Sequence, residues 1–113
     1  MELIQNIQNL VNNSEYISEH NLQTIVVRYF KELYPKWIVF SVPNGGTRNK
    51  IEMQSLKTEG LLAGVSDLIV IAEFPTIYFI EMKVKNGKTE KAQIEFKNKL
   101  EALGWNFFLI KKK

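Results

Sequence analysis

Residues 67–84 have the sequence DLIVIAEFPTIYFIEMKV, in which a short turn separates two apolar, β-branched runs. This composition predicts strands at 67–72 and 76–84, with the turn at Glu73-Phe74-Pro75. If the hairpin is symmetric about Phe74, Asp67 lies directly opposite Glu81. Lys83, two residues beyond Glu81, then points to the same face of the sheet. The segment therefore predicts two carboxylates and one ammonium group at a common point.

Regular structure is also predicted on both sides of this hairpin. Before it, apolar periodicity indicates helices at 2–12 and 19–33, a strand at 37–42, and a helix at 50–59. After it, Thr89 is the expected N-cap of a helix that ends at Gly104, and the last strand follows at 105–110. The expected buried side of that helix consists of Ala92, Phe96, Leu100 and Leu103.

The order of these elements indicates the fold class. The last helix is a crossover connection, so the final strand is expected to run parallel to residues 76–84. The prediction is an α/β domain with a mixed central β-sheet flanked by helices. The 113 residues contain no linker or repeat, so one domain is expected, with an N-terminal helix (1–13) preceding a core at 19–113.

Composition narrows the function classes. The chain has no cysteine, which excludes disulfides and thiolate metal sites and leaves oxygen or histidine ligands. No signal peptide or long apolar run is evident, so a cytoplasmic protein without membrane contact is expected, in a bacterial or virus-infected host cell. The net charge is +3, and residues 83–99 hold six lysines against two glutamates. This excess favours binding to phosphates, although a solvated lysine-rich helix face is an equal alternative.

The predicted cluster of Asp67, Glu81 and Lys83 suits metal-assisted phosphate chemistry. Carboxylates inside apolar strands are costly unless they are paired or bound to a metal. A divalent cation such as Mg²⁺ or Mn²⁺ relieves the repulsion between two carboxylates by binding both. Such an ion polarises a phosphate and lowers the pKa of a bound water, while a lysine offsets developing charge. The alternative is an ion-pair cluster at the edge of the sheet.

The wider motif pattern resembles the VRR-NUC family, a virus-type replication-repair branch of the PD-(D/E)XK nucleases. The motifs are Pro43-Asn44-Gly45-Gly46, Gly60, Gly64-Val65-Ser66-Asp67, Glu81-Met82-Lys83, Gly87-Lys88, Gln93 and Gly104. The resemblance extends from about residue 19 to the C-terminus and implies a restriction-endonuclease-like core. The chain departs from the family at Ser66, where a proline is typical, and this change removes no ligand.

The resemblance implies a role for each matching residue. Asp67 and Glu81 would be metal ligands, joined by the Met82 carbonyl and by Glu19. Lys83 would be the catalytic lysine, and Gln93 would lie near the reacting groups. Two alternatives remain open: Gln93 as a solvent-facing helix residue, and Glu19 as a glutamate favoured by the helix dipole. The single histidine, His20, is expected to be structural or surface-exposed.

Basic and glycine-rich segments are the candidates for contact with DNA. They comprise Asn44, Gly45, Gly46, Arg48 and Lys50 in the loop after the first strand, and Lys85 and Lys88 after Glu81-Met82-Lys83. Exposed amides and basic side chains in such a loop suit phosphate binding. An ordinary turn at the exit of a strand is the competing interpretation of this loop.

The function that the resemblance implies is a metal-dependent, structure-selective DNA endonuclease. Stand-alone members of the family resemble four-way-junction (Holliday-junction) resolvases and act as homodimers, and two-fold symmetry suits two symmetric cuts. The N-terminal helix, outside the family pattern, is the candidate dimer contact. A flap-directed or general nuclease on the same fold is one alternative, and a catalytically silent DNA-binding module is another.

Overall fold

The protein is built around a four-stranded mixed sheet, described by a computed structural model over residues 2–16, 18–43, 50–84, 87 and 89–112, with only the backbone given for 50–53. The helices are α1 (Glu2–Asn12), α2 (Glu19–Leu33), α3 (Lys50–Thr58) and α4 (Lys91–Ala102). The strands are β1 (Ile38–Ser41), β2 (Leu68–Ile71), β3 (Ile77–Lys83) and β4 (Asn106–Lys111). The predicted order of elements is confirmed, and most boundaries differ by only one or two residues.

The strands lie in the order β1-β2-β3-β4. The first two pairs are antiparallel, and β3 and β4 are parallel, as a crossover through α4 requires. In the hairpin, Leu68 pairs with Ile80 and Ile71 with Ile77. This register is symmetric about Phe74 and confirms the predicted alignment of the two strands.

The hydrophobic core lies on one face of the sheet, against α1 and α2. Alternate residues of the strands point into it, because side chains alternate between the two faces. Its fully buried members are Ile7, Val11, Leu22, Val26, Phe30, Leu68, Val70, Ile80 and Met82, with Ile110 nearly so. Two of these residues belong to α1, so the first helix contributes its apolar face to the core of its own chain. A dimer contact through α1 would have to use its other faces and stays a prediction.

The opposite face of the sheet carries α4 and the polar side chains of β3, Glu81 and Lys83. Phe79 and Glu81 point to this side, where the Phe79 ring contacts Phe96 and Trp105 at centroid distances of 6.2 and 6.4 Å. Two details predicted for α4 were wrong, its N-cap and the burial of Leu103, whereas Gly104 follows the end of the helix as predicted, with φ +94°. The N-cap is Glu90, one residue after Thr89, and Leu103 is 77% exposed because it is the C-cap residue beyond the last helical turn.

No helix in the described part of the chain combines the length and apolar character needed to cross a membrane.

Candidate active site

Two carboxylates face each other at the end of the β2–β3 hairpin. Leu68 pairs with Ile80, so the next positions outward are Asp67 and Glu81. The Asp67 Oδ2 atom accepts a hydrogen bond of 2.7 Å from the backbone N–H of Met82. The Asp67 carbonyl accepts a 2.9 Å bond from Val42 N–H, which also ties Asp67 to the chain leaving β1. Asp67 is therefore fixed from both neighbouring strands.

Glu81 is a buried carboxylate with only part of its hydrogen-bonding capacity used. The residue is only 2% exposed. Its Oε2 atom accepts a 2.9 Å bond from Gln93 Nε2. Its Oε1 atom is buried without a hydrogen-bond partner among the described residues. A buried carboxylate oxygen without a partner is costly, so a ligand at this atom would remove an energetic penalty.

The surroundings of Glu81 favour its protonated form. Burial raises its pKa most, followed by the negative charge of the nearby Asp67, and Lys83 opposes these effects in part. The resulting pKa is about 8, against an ordinary value of 4.5. The chain thus provides two acidic groups that cannot both be ionised cheaply without an added cation.

Lys83 lies on the same face, as predicted. Its Nζ atom is 3.8 Å from Glu81 Oε2, and the residue is 8% exposed. A Cβ atom added at Gly87 would come within 3.3 Å of the Lys83 Cδ, so the chain at Gly87 passes close to the lysine stem. One ammonium at this distance does not neutralise two carboxylates, and the Oε1 atom of Glu81 has no partner in the described part of the chain. These observations disfavour a self-contained ion-pair cluster.

Gln93 joins the carboxylate pair to the start of α4. Besides donating to Glu81, its side chain accepts a 2.9 Å bond through Oε1 from the backbone N–H of Glu90. The alternative that the Gln93 side chain faces only solvent is therefore wrong. The loop before β2 lies close to the start of α4. Gly64, at φ +85°, is so near Ala92 that a Cβ atom would not fit between them.

The remaining predicted ligands are placed less directly. Glu19 is exposed at the start of α2, and its charge contributes to the raised pKa of Glu81. No group of three or more His, Cys, Asp or Glu side chains suited to a metal converges among the described residues. The Met82 side chain is buried in the core, so only its backbone is available to the site. His20 is exposed, in agreement with its expected surface position.

Most of the predicted DNA-binding residues cannot be placed. Asn44, Gly45, Gly46, Arg48, Lys85 and Lys88 lie outside the described residues. Lys50 begins α3, but its side chain is also outside the description.

Sequence reasoning missed two features of the site. The first is the bond from Val42 to Asp67, which depends on strand register. The second is a cleft beside Glu81 between α4 and β4, lined in part by Lys97 and Phe107. The spacing of Gln93 and Lys97, one helical turn apart, was the available signal for the second.

The donor set of the site fits a hard divalent cation. Two carboxylates meet, one buried carboxylate oxygen has no partner among the described residues, and the chain has no cysteine to supply a thiolate. Oxygen donors of this kind are those that Mg²⁺ and Mn²⁺ prefer.

Two solved structures have a similar fold. One, a VRR_NUC domain, is 23% identical with a TM-score of 0.60, and the match covers 83% of this chain and 84% of that one. The other, a VRR_NUC domain protein, is 25% identical with a TM-score of 0.66, and the match covers 88% and 81%. No protein-family model matches the sequence, and no curated protein is significantly similar to it. The mixed sheet and its flanking helices thus form an α/β, restriction-endonuclease-like core.

Proposed function

We propose, from the premise that this chain belongs to the VRR-NUC family of nucleases, that it is a metal-dependent, structure-selective endonuclease that hydrolyses phosphodiester bonds in DNA. The observation that carries the proposal is the meeting of Asp67 and Glu81 with a buried carboxylate oxygen that no described residue partners. A catalytically silent DNA-binding module would gain nothing from this pair of acidic residues, because a buried acid pair destabilises the fold that contains it.

The chain's own residues have distinct roles in this proposal. Asp67 and Glu81 would hold Mg²⁺ or Mn²⁺, with the Met82 carbonyl and Glu19 as further candidate ligands. When bound, the ion supplies Lewis-acid polarisation of the phosphate and a water of lowered pKa. Gln93 keeps the Glu81 carboxylate in one orientation through its 2.9 Å bond.

Lys83 is the proposed catalytic cation. In hydrolysis the oxygen of water bonds to phosphorus, the bond to the leaving sugar oxygen breaks, and that oxygen takes up a proton. Negative charge grows on the phosphate oxygens along this path. An ammonium already held beside Glu81, at 3.8 Å, stabilises that charge without reorganisation.

The proposed substrate is branched DNA, with a four-way junction first and a homodimer as the acting form. A two-fold dimer presents two identical sites to the two symmetric strands of a junction. Lys50, Lys85 and Lys88, together with Asn44, Gly45, Gly46 and Arg48, are the proposed contacts to phosphates. These contacts position the DNA without reading its sequence.

A cleavage assay tests the proposal. Labelled four-way junctions, flaps and linear duplexes are incubated with the protein in Mg²⁺, Mn²⁺ or EDTA. Glu81→Gln is compared with Glu95→Gln, a matched loss of charge at an exposed residue of α4. We expect junction cleavage that requires metal, is lost in Glu81→Gln and persists in Glu95→Gln.

Each other outcome has a defined meaning. Flap cleavage with intact junctions would replace the junction proposal with a flap nuclease. Cleavage of every substrate alike would indicate a general nuclease. Binding without cleavage in any metal would leave only a DNA-binding module and would refute the enzymatic proposal.

A further inference from the structure

A cleft of about 290 Å³ opens beside Glu81, between α4 and the edge strand β4. Helix α4 supplies Gln93, Ile94, Lys97 and Asn98 to its lining, and β4 supplies Phe107 and Leu109. Its volume is at the lower end of the range for small-ligand sites, about 300–1,000 Å³. The cleft shares Glu81 with the carboxylate pair, so an occupant of the cleft adjoins the proposed reaction centre.

The two sides of the cleft differ in chemistry. The β4 side is apolar and partly open to solvent, with Leu109 46% exposed and Phe107 half-buried. Other aromatic rings on this sheet face contact each other, whereas Phe107 contacts no other ring in the part of the chain that the structure describes. The α4 side presents the exposed polar side chains of Lys97 and Asn98, beside the apolar side chain of Ile94. A flat apolar group with an attached anion matches both sides.

The distances along the two walls of the cleft also suit a chain molecule that extends from the carboxylates into the cleft. Leu109 is the lateral partner of Glu81 in the sheet, and Phe107 lies two residues back along β4, about 6.6 Å away. On the helix, Lys97 lies one turn, about 6 Å, beyond Gln93, which itself contacts Glu81. Each wall therefore offers a second contact at a similar distance from the carboxylates.

We propose that this cleft binds one unpaired nucleotide of DNA next to the scissile phosphate, with its base on Phe107 and Leu109 and its phosphate at Lys97 and Asn98. The inference rests on the proposed nuclease function and deepens it by naming what the site selects. A base in a duplex must be unstacked before it enters such a cleft, and a base at a branch or free end is already available. The cleft thereby favours branched or frayed DNA over continuous duplex.

Binding measurements without cleavage separate this inference from the enzymatic proposal. Asp67→Asn in EDTA serves as a non-cleaving parent, and its affinity for a short thymidine oligomer is compared with that for an oligomer of abasic nucleotides. Phe107→Leu should weaken binding of the intact oligomer about tenfold, within the range for base–aromatic stacking, and leave abasic binding unchanged. Phe74→Leu, which removes a 98% exposed ring at the hairpin turn, is the matched control.

Lys97→Met provides a second, independent variant on an exposed residue. It should weaken binding of both oligomers and lower the salt dependence of affinity by about one ion, whereas Lys99→Met on the same helix should not. Thermal unfolding verifies that each variant is folded. If Phe107→Leu is not folded, the result for Lys97→Met alone tests the proposed cleft.

The results distinguish the two proposals. Equal effects of Phe107→Leu on intact and abasic oligomers, Lys97→Met equivalent to Lys99→Met, or no DNA binding by the parent would overturn the inference. Glu81-dependent cleavage would then still support the nuclease. A base-dependent loss in Phe107→Leu, without cleavage by the unmodified protein, would support the cleft and refute the enzymatic proposal.

Discussion

At the scale of single residues, Glu81 combines requirements that oppose each other. Strand β3 buries it, Asp67 repels its charge, and Lys83 and Gln93 stabilise that charge only in part. A glutamate in this environment holds its proton at pH values where an ordinary glutamate is ionised. A bound cation would relieve this conflict, and by the proposal the site would then be more stable filled than empty.

The raised pKa of Glu81 predicts a stability difference that depends on pH. Between about pH 4.5 and about pH 8, the folded protein holds a proton that the unfolded chain has released. The free energy of unfolding in EDTA therefore falls as pH rises through this window. Glu81→Gln lacks this titration and should gain roughly 2–4 kcal/mol relative to the unmodified protein from pH 4.5 to 8.5.

Urea unfolding of both proteins across this pH range measures the difference. All other titrating groups are common to the pair, so the difference curve reports Glu81 together with its interactions with neighbouring charges. Parallel stability curves would show that Glu81 titrates normally and that the acid pair is not strained.

At the scale of elements, the site depends on where α4 begins. The loop before β2 contacts the first turn of α4, and a Cβ added at Gly64 would lie 2.2 Å from the Ala92 carbonyl oxygen. The next residue of α4 is Gln93, which holds Glu81. Gly64 therefore acts on the site through the placement of the helix. Nearby, the buried Ser66 hydroxyl donates to the Leu68 carbonyl oxygen at 3.3 Å, in the position where the family typically has proline.

Gly64→Ala should be more damaging than the same change at another left-handed glycine. Gly104 has φ +94° and a Cβ added there would meet open space, so Gly104→Ala introduces backbone strain alone, about 1–2 kcal/mol. Gly64→Ala adds a collision with backbone and should cost roughly 2–4 kcal/mol and reduce cleavage. Denaturant unfolding and the junction assay measure both effects. Equal losses in the two variants would refute the positioning role of Gly64.

The hairpin could be predicted from sequence because its two strands are local, share a short turn and have a strong apolar pattern. That alignment alone placed Asp67 opposite Glu81. The start of α4 could not be predicted as well, because Thr89 and Glu90 are both acceptable caps and the approach of the Gly64 loop is a tertiary contact. The expected position of Gln93 near the site came from the family resemblance and not from periodicity, and its bond to Glu81 was not predicted.

At the scale of the whole molecule, hydrogen bonds join helix α1 to the chain at the end of β4. The Gln8 side chain donates to the Lys111 carbonyl oxygen at 2.7 Å and accepts from the Lys111 N–H at 3.2 Å. The Lys112 ammonium donates to the carbonyl oxygens of Val11 and Asn12, each at 3.1 Å, and to that of Ser14. A cation at this position satisfies the free carbonyls at the end of α1 and favours its dipole.

Removing the Lys112 ammonium should therefore loosen α1. Lys112→Met should cost about 1–2 kcal/mol of unfolding free energy, since it leaves helix-end carbonyls without their donor. Lys111→Met, with the same loss of charge at an exposed neighbouring side chain, should cost far less. Thermal unfolding compares the pair, and hydrogen exchange locates the loss. Equal stability of the two variants would show that the contact with α1 is unimportant.

These hydrogen bonds between α1 and the C-terminal residues could not be predicted from the sequence. The periodicity of residues 2–12 predicted the helix but gave no partner for its polar side chains, and the N-terminal helix was expected to lie outside the nuclease core. The structure instead places Ile7 and Val11 in the common core. Residues about a hundred positions apart meet there, and only the completed fold brings them together.

The central claim is that Asp67 and Glu81 together bind a divalent cation. Calorimetric titration with Mn²⁺ tests it most directly, with the unmodified protein beside Glu81→Gln and Glu95→Gln. We expect Mn²⁺ binding with release of protons by the unmodified protein and by Glu95→Gln, because ligand carboxyl groups must ionise, and no binding by Glu81→Gln. Equal Mn²⁺ binding by Glu81→Gln, or no binding by the unmodified protein, would contradict the claim.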